Sequence, residues 1–132
     1  MVEKHPICPQ RVRKVPKQFS WIDQRLVRER HIDRLSHGAS ALYLFLVTVA
    51  DAKGISYYSD RTIGKRLSMD AHILATVRGE LVENRLIAYK HPLYQVLAVE
   101  DHRRHGSGGL DRRHPSEPML IKQIFTQIAK GA

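Results

Sequence analysis

One stretch of the chain limits its possible folds more than any other. Apart from Thr48, every residue from Ala41 to Ala50 is apolar. A helix needs about 20 such residues to cross a bilayer, so this stretch is too short to do so. A helix that is apolar on most sides must instead be covered by protein. The stretch therefore predicts a core helix that begins after Ser36 as N-cap and runs to about Ala52. A chain of 132 residues has room for one compact domain around it.

The segments around this helix predict a mostly α-helical domain with a small antiparallel β-hairpin, an α+β fold. Each has apolar residues at helix or strand spacing and is bounded by capping or turn residues. Pro92 is expected in the loop of the hairpin, and Lys53-Gly54 is expected to end the core helix. In chain order the predicted elements are a short amphipathic helix near 22–30, the core helix at 36–52, a strand at 55–58, a helix at 61–67 capped by Ser59 or Asp60, a turn at 68–69, a helix at 71–84, and a hairpin formed by 86–89 and 94–99 with its loop at 90–93.

The helix predicted at 71–84 has two different sides. Asp70 is its expected N-cap, and Asn84 is a candidate for a left-handed residue at its end. Arg78 is expected at the border between the two sides, with its stem packed and its guanidinium reaching outward. The stripe expected to point inward consists of Leu74, Val77 and Leu81. The outward side consists of Ala71, His72, Ala75, Thr76 and Gly79.

Charge is the unusual feature of the composition. The chain has 22 Lys and Arg against 13 Asp and Glu, a net charge of +9. Such an excess favours a polyanion partner, since each phosphate that is neutralised releases counterions, although membrane surfaces and acidic proteins also attract basic chains. Five bases and one acid give residues 1–19 a net charge of +4. Residues 1–20 are therefore predicted to form an extended basic arm, with a disordered leader as the alternative. Its candidate binding residues are Arg11, Arg13, Lys14 and Lys17.

The sequence changes character after residue 99. Residues 100–118 contain two similar basic runs around Gly106-Ser107-Gly108-Gly109, which predicts a flexible basic linker. Residues 119–132 carry apolar residues at 121, 124, 125 and 128, a helical spacing. We expect a short helix there that packs on the core or on a second copy of the chain.

No pattern typical of an enzyme, a cofactor site or a metal site is present. The chain lacks a nucleophile elbow, a phosphate loop and a glycine-rich dinucleotide turn. His5 with Cys8, and His102 with His105, have gaps that suit a metal, but neither has a second pair at zinc-finger spacing. One cysteine and no signal-like apolar start are typical of a cytoplasmic protein. We therefore predict no catalytic residues, no metal, no cofactor and no membrane association.

The middle of the chain resembles a known DNA-binding architecture. The residues that carry the resemblance are Ile63 to Asp70, the stripe of the following helix, and Glu83-Asn84-Arg85-Leu86-Ile87, within the order helix, strand, helix, tight turn, helix, hairpin. This resembles the winged helix–turn–helix domain. It is similar in particular to the modules of bacterial replication initiators and of mobile-element proteins, in which opening blocks like Phe19-Ser20-Trp21-Ile22-Asp23, Leu35-Ser36 and Ala41-Leu42-Tyr43 occur. The resemblance covers residues 36–99 and places the domain at 21–99.

The resemblance implies double-stranded DNA as the partner, in replication, transposition or transcription control. The helix at 71–84 would enter the major groove, with phosphate contacts from the preceding helix and the hairpin tip. Since the outward side of that helix offers few hydrogen-bonding groups, we expect phosphate-dominated binding of low sequence specificity. The predicted contact residues are Arg61, Thr62, Lys65, Arg66, Ala71, His72, Ala75, Thr76, Arg78, Gly79, Lys90 and His91.

Other partners remain open from the sequence. A homodimer through the N-terminal or C-terminal helix would raise specificity. The same small-residue side would also suit a protein–protein interaction module within a nucleic-acid-handling complex. RNA binding has less support, since the chain lacks an RNA-binding fingerprint.

Overall fold

The computed structural model describes residues 3–100, which form an α+β fold of four helices and a three-stranded antiparallel sheet. The predicted order of helix, strand, helix, turn, helix and hairpin is confirmed. The linker expected at 100–118, apart from Glu100, and the helix expected at 119–132 lie outside the described residues. The elements are α1 (Arg25–Arg28), α2 (His37–Val49), β1 (Ile55–Tyr57), α3 (Asp60–Leu67), α4 (Ala71–Glu83), β2 (Ile87–Lys90) and β3 (Leu93–Val96), with short 3₁₀ turns at Pro9–Arg11 and Ile32–Arg34.

Helix α2 is the core helix that its apolar stretch predicts. Ser36 is the N-cap, and its hydroxyl accepts a hydrogen bond from the backbone N–H of Ala39 at 3.1 Å. The helix ends at Val49, three residues earlier than expected. Its end coincides with a tight turn in which the Asp51 carboxylate accepts hydrogen bonds from the N–H groups of Lys53 and Ile55 at 2.8 and 2.9 Å. Side chains of this kind compete with helical hydrogen bonding.

The sheet has the order β1-β3-β2, so the second strand of the hairpin lies in the middle. Its hairpin is tighter than the sequence predicts. Lys90 and Leu93, expected in the loop, are paired across the strands, and only His91 and Pro92 form the turn. Leu93 is buried, which gives its side chain a place in the sheet rather than in a solvated loop.

One apolar core joins these elements. Residues of α2, α3, α4 and the hairpin fill it, and the side chains that are almost completely inaccessible are Leu42, Leu46, Ile63, Leu74, Leu81, Leu86, Ile87 and Tyr94. Helices α2 and α4 approach closely, since a Cβ atom added at Gly38 would lie 2.9 Å from Cγ1 of Val77. Helix α4 is therefore fixed on its inner side by α2.

The N-terminal part differs most from expectation. The amphipathic helix predicted near 22–30 is only the four residues Arg25–Arg28, and within it only Leu26 is buried. Residues 3–20 lie on the surface with exposed side chains, and Ser20 donates a hydrogen bond to the Thr48 carbonyl at 3.0 Å. None of the helices among the described residues is long and apolar enough to cross a membrane.

Candidate nucleic-acid interface

Helices α3 and α4 and the turn between them form a unit with a well-defined cap on each helix. The Ser59 hydroxyl, rather than Asp60, caps α3 by accepting the N–H of Thr62 at 3.1 Å. The Asp70 carboxylate caps α4 by accepting the N–H of Ile73 at 2.8 Å, as predicted. Between them Ser68 adopts a left-handed conformation with φ of 56°, and its N–H bonds to the carbonyl of Gly64.

Gly64 lets this turn fold back on α3. The N–H of Met69 bonds to the Gly64 carbonyl at 2.9 Å, and a Cβ atom at Gly64 would lie only 2.7 Å from the Met69 carbonyl oxygen. Because that neighbour is backbone, it can move only if the turn moves. The sequence at this point thus fixes the angle at which α4 leaves α3.

The predicted two-sided character of α4 is confirmed. Its inner stripe is buried, with Leu74 and Leu81 at 0% exposure and Val77 at 5%. The opposite side, here called the outer face, is exposed to solvent and is not covered by any other described segment. The outer face comprises Ala71, His72, Ala75, Thr76 and Gly79.

The outer face offers few hydrogen-bonding groups. The Thr76 hydroxyl already donates to the backbone carbonyl of His72 at 3.0 Å, and Gly79 has no atom within 4 Å of where a Cβ would lie. The Thr62 hydroxyl of α3 accepts from Ser59 at 3.0 Å. The imidazole of His72 is therefore the principal side-chain donor or acceptor that the outer face can present to base edges.

Arg78 does not reach outward as the sequence predicted. Its side chain is 14% exposed, and one guanidinium nitrogen donates to Asp60 at 2.8 Å and to the Tyr94 hydroxyl at 2.9 Å. The guanidinium carbon also lies 4.2 Å from the centre of the Tyr89 ring, a cation–π distance. These four residues are here called the Arg78 junction. The position of Arg78 in its helix did not predict these contacts, because the partners of Arg78 come from α3 and the hairpin.

The electrostatics of the Arg78 junction keep the guanidinium charged. Burial disfavours the charge, but the hydrogen bonds that Arg78 donates to Asp60 and Tyr94 outweigh it and raise the pKa of Arg78. Burial raises the pKa of Tyr94, and the hydrogen bond from Arg78 opposes that rise. Arg78 is thus a structural cation whose charge is already compensated by protein.

The Arg78 junction brings three elements together at one place. Asp60 begins α3, Arg78 lies in the middle of α4, and Tyr89 and Tyr94 are paired across β2 and β3 near the hairpin turn. Arg61 follows Asp60 directly, and Lys90 follows Tyr89 directly. The start of α3, the middle of α4 and the end of the hairpin near its turn are therefore neighbours in the fold.

Exposed cations lie on α3 and on the hairpin, the two elements that the Arg78 junction holds beside α4. Arg61, Lys65 and Arg66 on α3 and Lys90 on the hairpin are exposed, and among residues 3–100 no carboxylate forms an ion pair with any of them. His91 at the hairpin turn shares a hydrogen bond of 3.1 Å with the Tyr89 hydroxyl. A Lys or Arg that neutralises a phosphate releases condensed counterions, which favours binding.

The remaining predicted sites are exposed or structural. Arg11, Arg13, Lys14 and Lys17 of the arm are all exposed. Tyr58 packs edge-on against Phe45 at 5.2 Å, and Tyr57 is 62% exposed. No group of three or more potential metal ligands occurs within the described part of the chain.

Two features of α4 were not predicted from the sequence: the residue that ends it and a contact with the start of α2. At the end of α4 the left-handed residue is Arg85, with φ of 58°, and not Asn84, whose φ is −84°. The Glu80 carboxylate accepts hydrogen bonds from the N–H and the hydroxyl of Ser36, at 2.8 and 2.6 Å. These bonds lower the pKa of Glu80 and tie α4 to the start of α2.

Comparison with protein-family models, with curated proteins and with solved structures gave no match. Function is therefore inferred from the residues of this chain alone.

Proposed function

We propose that this protein is a winged helix–turn–helix protein that binds double-stranded DNA, with α4 in the major groove and the β2–β3 hairpin as the wing. It binds mainly through phosphates and serves replication, transposition or transcription control in a bacterial setting. Lys65 and Arg66 contact the backbone on one side of the groove, and Lys90 contacts it from the wing. Arg78 holds these elements in place and does not itself contact DNA.

The observation that carries the proposal is the arrangement around the outer face. The Arg78 junction holds a helix that is exposed along one side next to α3, which bears the exposed Arg61, Lys65 and Arg66, and next to the hairpin, which bears the exposed Lys90. Small side chains at 71, 75 and 79 permit close approach to a groove and contact with thymine methyl groups. The sheet order, with β3 between β1 and β2, also suits a wing supported by the rest of the domain.

Binding of this kind is strongly dependent on salt and weakly dependent on sequence. Each Lys or Arg that neutralises a phosphate contributes about 0.9 to the slope of log K against log salt concentration. The basic arm adds to that slope. Sequence discrimination by one chain rests on His72 and on apolar contacts, so a second copy or a partner would be needed for a specific site.

The test is a triple substitution of Lys65, Arg66 and Lys90 to Gln, measured by fluorescence anisotropy on a duplex at several salt concentrations. We expect weaker binding to any duplex and a slope lower by up to about 3. A matched triple substitution, of Arg28, Arg30 and Lys53 to Gln, removes the same charge from exposed positions outside the predicted contacts. Equal loss in the two variants would mean that net charge alone drives binding and would contradict the proposed interface.

A second candidate function has one observation in its favour. Ile73 and Val82 of α4 are 45% and 40% exposed, and apolar side chains beside small residues suit a protein surface. In that case α4 docks on a protein of a nucleic-acid-handling complex and the basic segments only increase solubility. A gel-shift assay of the wild-type chain with a random duplex at low salt distinguishes the two functions. A protein–protein interaction module would not retard the duplex in the gel.

A further inference from the structure

An apolar groove lies between the N-terminal segment and the chain that follows β3. Its volume is about 430 Å³, and it is lined by residues 19–21, Asp23, Arg25, Tyr43, Val47, residues 50–54 and residues 96–99. Phe19 and Trp21, which also line it, are 64% and 72% exposed. Two adjacent aromatic side chains with this exposure form an apolar surface that an interaction normally covers.

The carboxylates that line the apolar groove are already engaged. Asp23 forms an ion pair with Arg25 at 2.7 Å, and this pairing lowers the pKa of Asp23. Asp51 accepts backbone hydrogen bonds from residues 53 and 55, which lowers its pKa as well. The surface left for an occupant is therefore mainly apolar, and the occupant it suits is a set of apolar side chains.

One segment of this chain has that chemistry and starts from the right place. Residues 97–99 line the groove, and the described chain ends one residue later, at Glu100. Residues 101–118 follow, and after them the ten residues Met119–Ile128 contain a single charge, on Lys122. Their large apolar residues at 121, 124, 125 and 128 have the spacing of one helix side.

We propose that the apolar residues at 121, 124, 125 and 128 occupy this groove in the same chain. Residues 101–118 are long enough for this, because 18 residues behaving as a coil span roughly 25 Å on average and far more when extended. A tether of this length gives an effective concentration in the millimolar range. Docking within the chain therefore outcompetes docking between chains at ordinary protein concentrations.

The size of the groove also favours one short segment over a second copy of the domain. A stable dimer buries about 800 Å² on each partner. A volume of about 430 Å³ accommodates only a few side chains. The inference does not rest on the proposed function, because none of the predicted DNA-contacting residues lines the groove.

Trp21 makes the proposal measurable, since it is the only tryptophan in the 132 residues. We expect its fluorescence in the 132-residue chain to be that of a partly shielded indole, protected from acrylamide quenching. Phe125→Asp should shift the emission to the red and remove the protection. Ile128→Asp should do the same, so that the result does not depend on one variant. Gln123→Asp adds the same charge at a position outside the apolar set and should leave both readings unchanged.

Thermal unfolding followed by circular dichroism verifies that each variant retains the folded domain. Two outcomes overturn the proposal. One is a wild-type Trp21 that is fully accessible to acrylamide and whose emission does not change on Phe125→Asp. The other is a wild-type protection that disappears on dilution together with dissociation in sedimentation velocity, because the occupant would then be a second copy.

Discussion

Helices α2 and α4 have the same length and the same kind of start but different environments. Each has 13 residues and is capped by a side-chain oxygen, from Ser36 in one and Asp70 in the other. Helix α2 buries five residues on one broad face and half-buries five more, whereas α4 buries a stripe of three residues and exposes most of the others. The distribution of apolar residues around the helix axis, and not helix length or capping, determines which helix forms the core and which is available for binding.

The largest effect is expected from truncating leucines, because this compares the stability that buried side chains contribute in α2 and in α4. Leu46→Ala in α2 and Leu74→Ala in α4 should each lower the free energy of unfolding by about 3 kcal/mol, because both side chains are completely buried. Leu44→Ala is the matched control, since Leu44 lies on α2 but is 56% exposed. Chemical denaturation measures all three. A loss at Leu44 as large as at Leu46 would show that α2 is covered on that side as well.

Two glycines should respond in opposite directions. Gly64→Ala should destabilise the protein by about 1–3 kcal/mol, since the new methyl group would meet the Met69 carbonyl oxygen. Gly79→Ala should stabilise it by up to about 1 kcal/mol, because the site is open and alanine favours a helix. If the outer face approaches DNA closely, Gly79→Ala should also weaken duplex binding. Stability is measured by denaturation and binding by anisotropy, and unchanged binding would exclude close approach at residue 79.

The smallest effect depends on pH and concerns the hydrogen bonds between Glu80 of α4 and Ser36, the N-cap of α2. The pKa of Glu80 is lowered in the folded protein, so its contribution to stability is complete above its ordinary pKa of about 4.5 and is lost as the pH falls through the folded value. Glu80→Gln should cost about 1 kcal/mol at pH 7 and flatten the fall in stability on the acid side. Denaturation at a series of pH values measures both effects.

Glu83→Gln is the control for this prediction. Glu83 lies on the same helix and is exposed, and its carboxylate has no hydrogen bond or ion pair to another described residue. Its substitution should leave the pH profile unchanged. Identical profiles for the wild type and Glu80→Gln would show that the Ser36 contact contributes nothing in solution.

Much of the fold was predictable because its signals are local. The caps at Ser36 and Asp70 and the inner stripe of α4 follow from residues that are close together in the sequence, and the order of the elements follows from such local signals. The end of α2 was predicted three residues too late, because the Asp51 turn competes with the helix and apolar periodicity does not reveal such a turn. The four-residue α1 was overestimated because Trp21, Ile22 and Val27 are exposed rather than buried.

The candidate site was less predictable, because its geometry depends on distant residues. Asp60 is 18 positions from Arg78 and Tyr94 is 16 positions away, so helical periodicity could not reveal either contact. Residues whose exposure follows from their own helix, such as Ala75 and Thr76, were placed correctly. Arg85 occupies the left-handed position at the end of α4, although its long side chain is not one that favours it.

The hairpin register has a consequence for how the tip can vary. Tyr94 faces Tyr89 across the strands, and both contact Arg78. A slip of one residue would turn Tyr94 to the opposite side of the sheet and leave the guanidinium without its hydroxyl partner. Insertions between Lys90 and Leu93, by contrast, leave that pair in place. Length and charge at the tip are therefore free to diverge among variants, while the two tyrosines behind it constrain the position of α4.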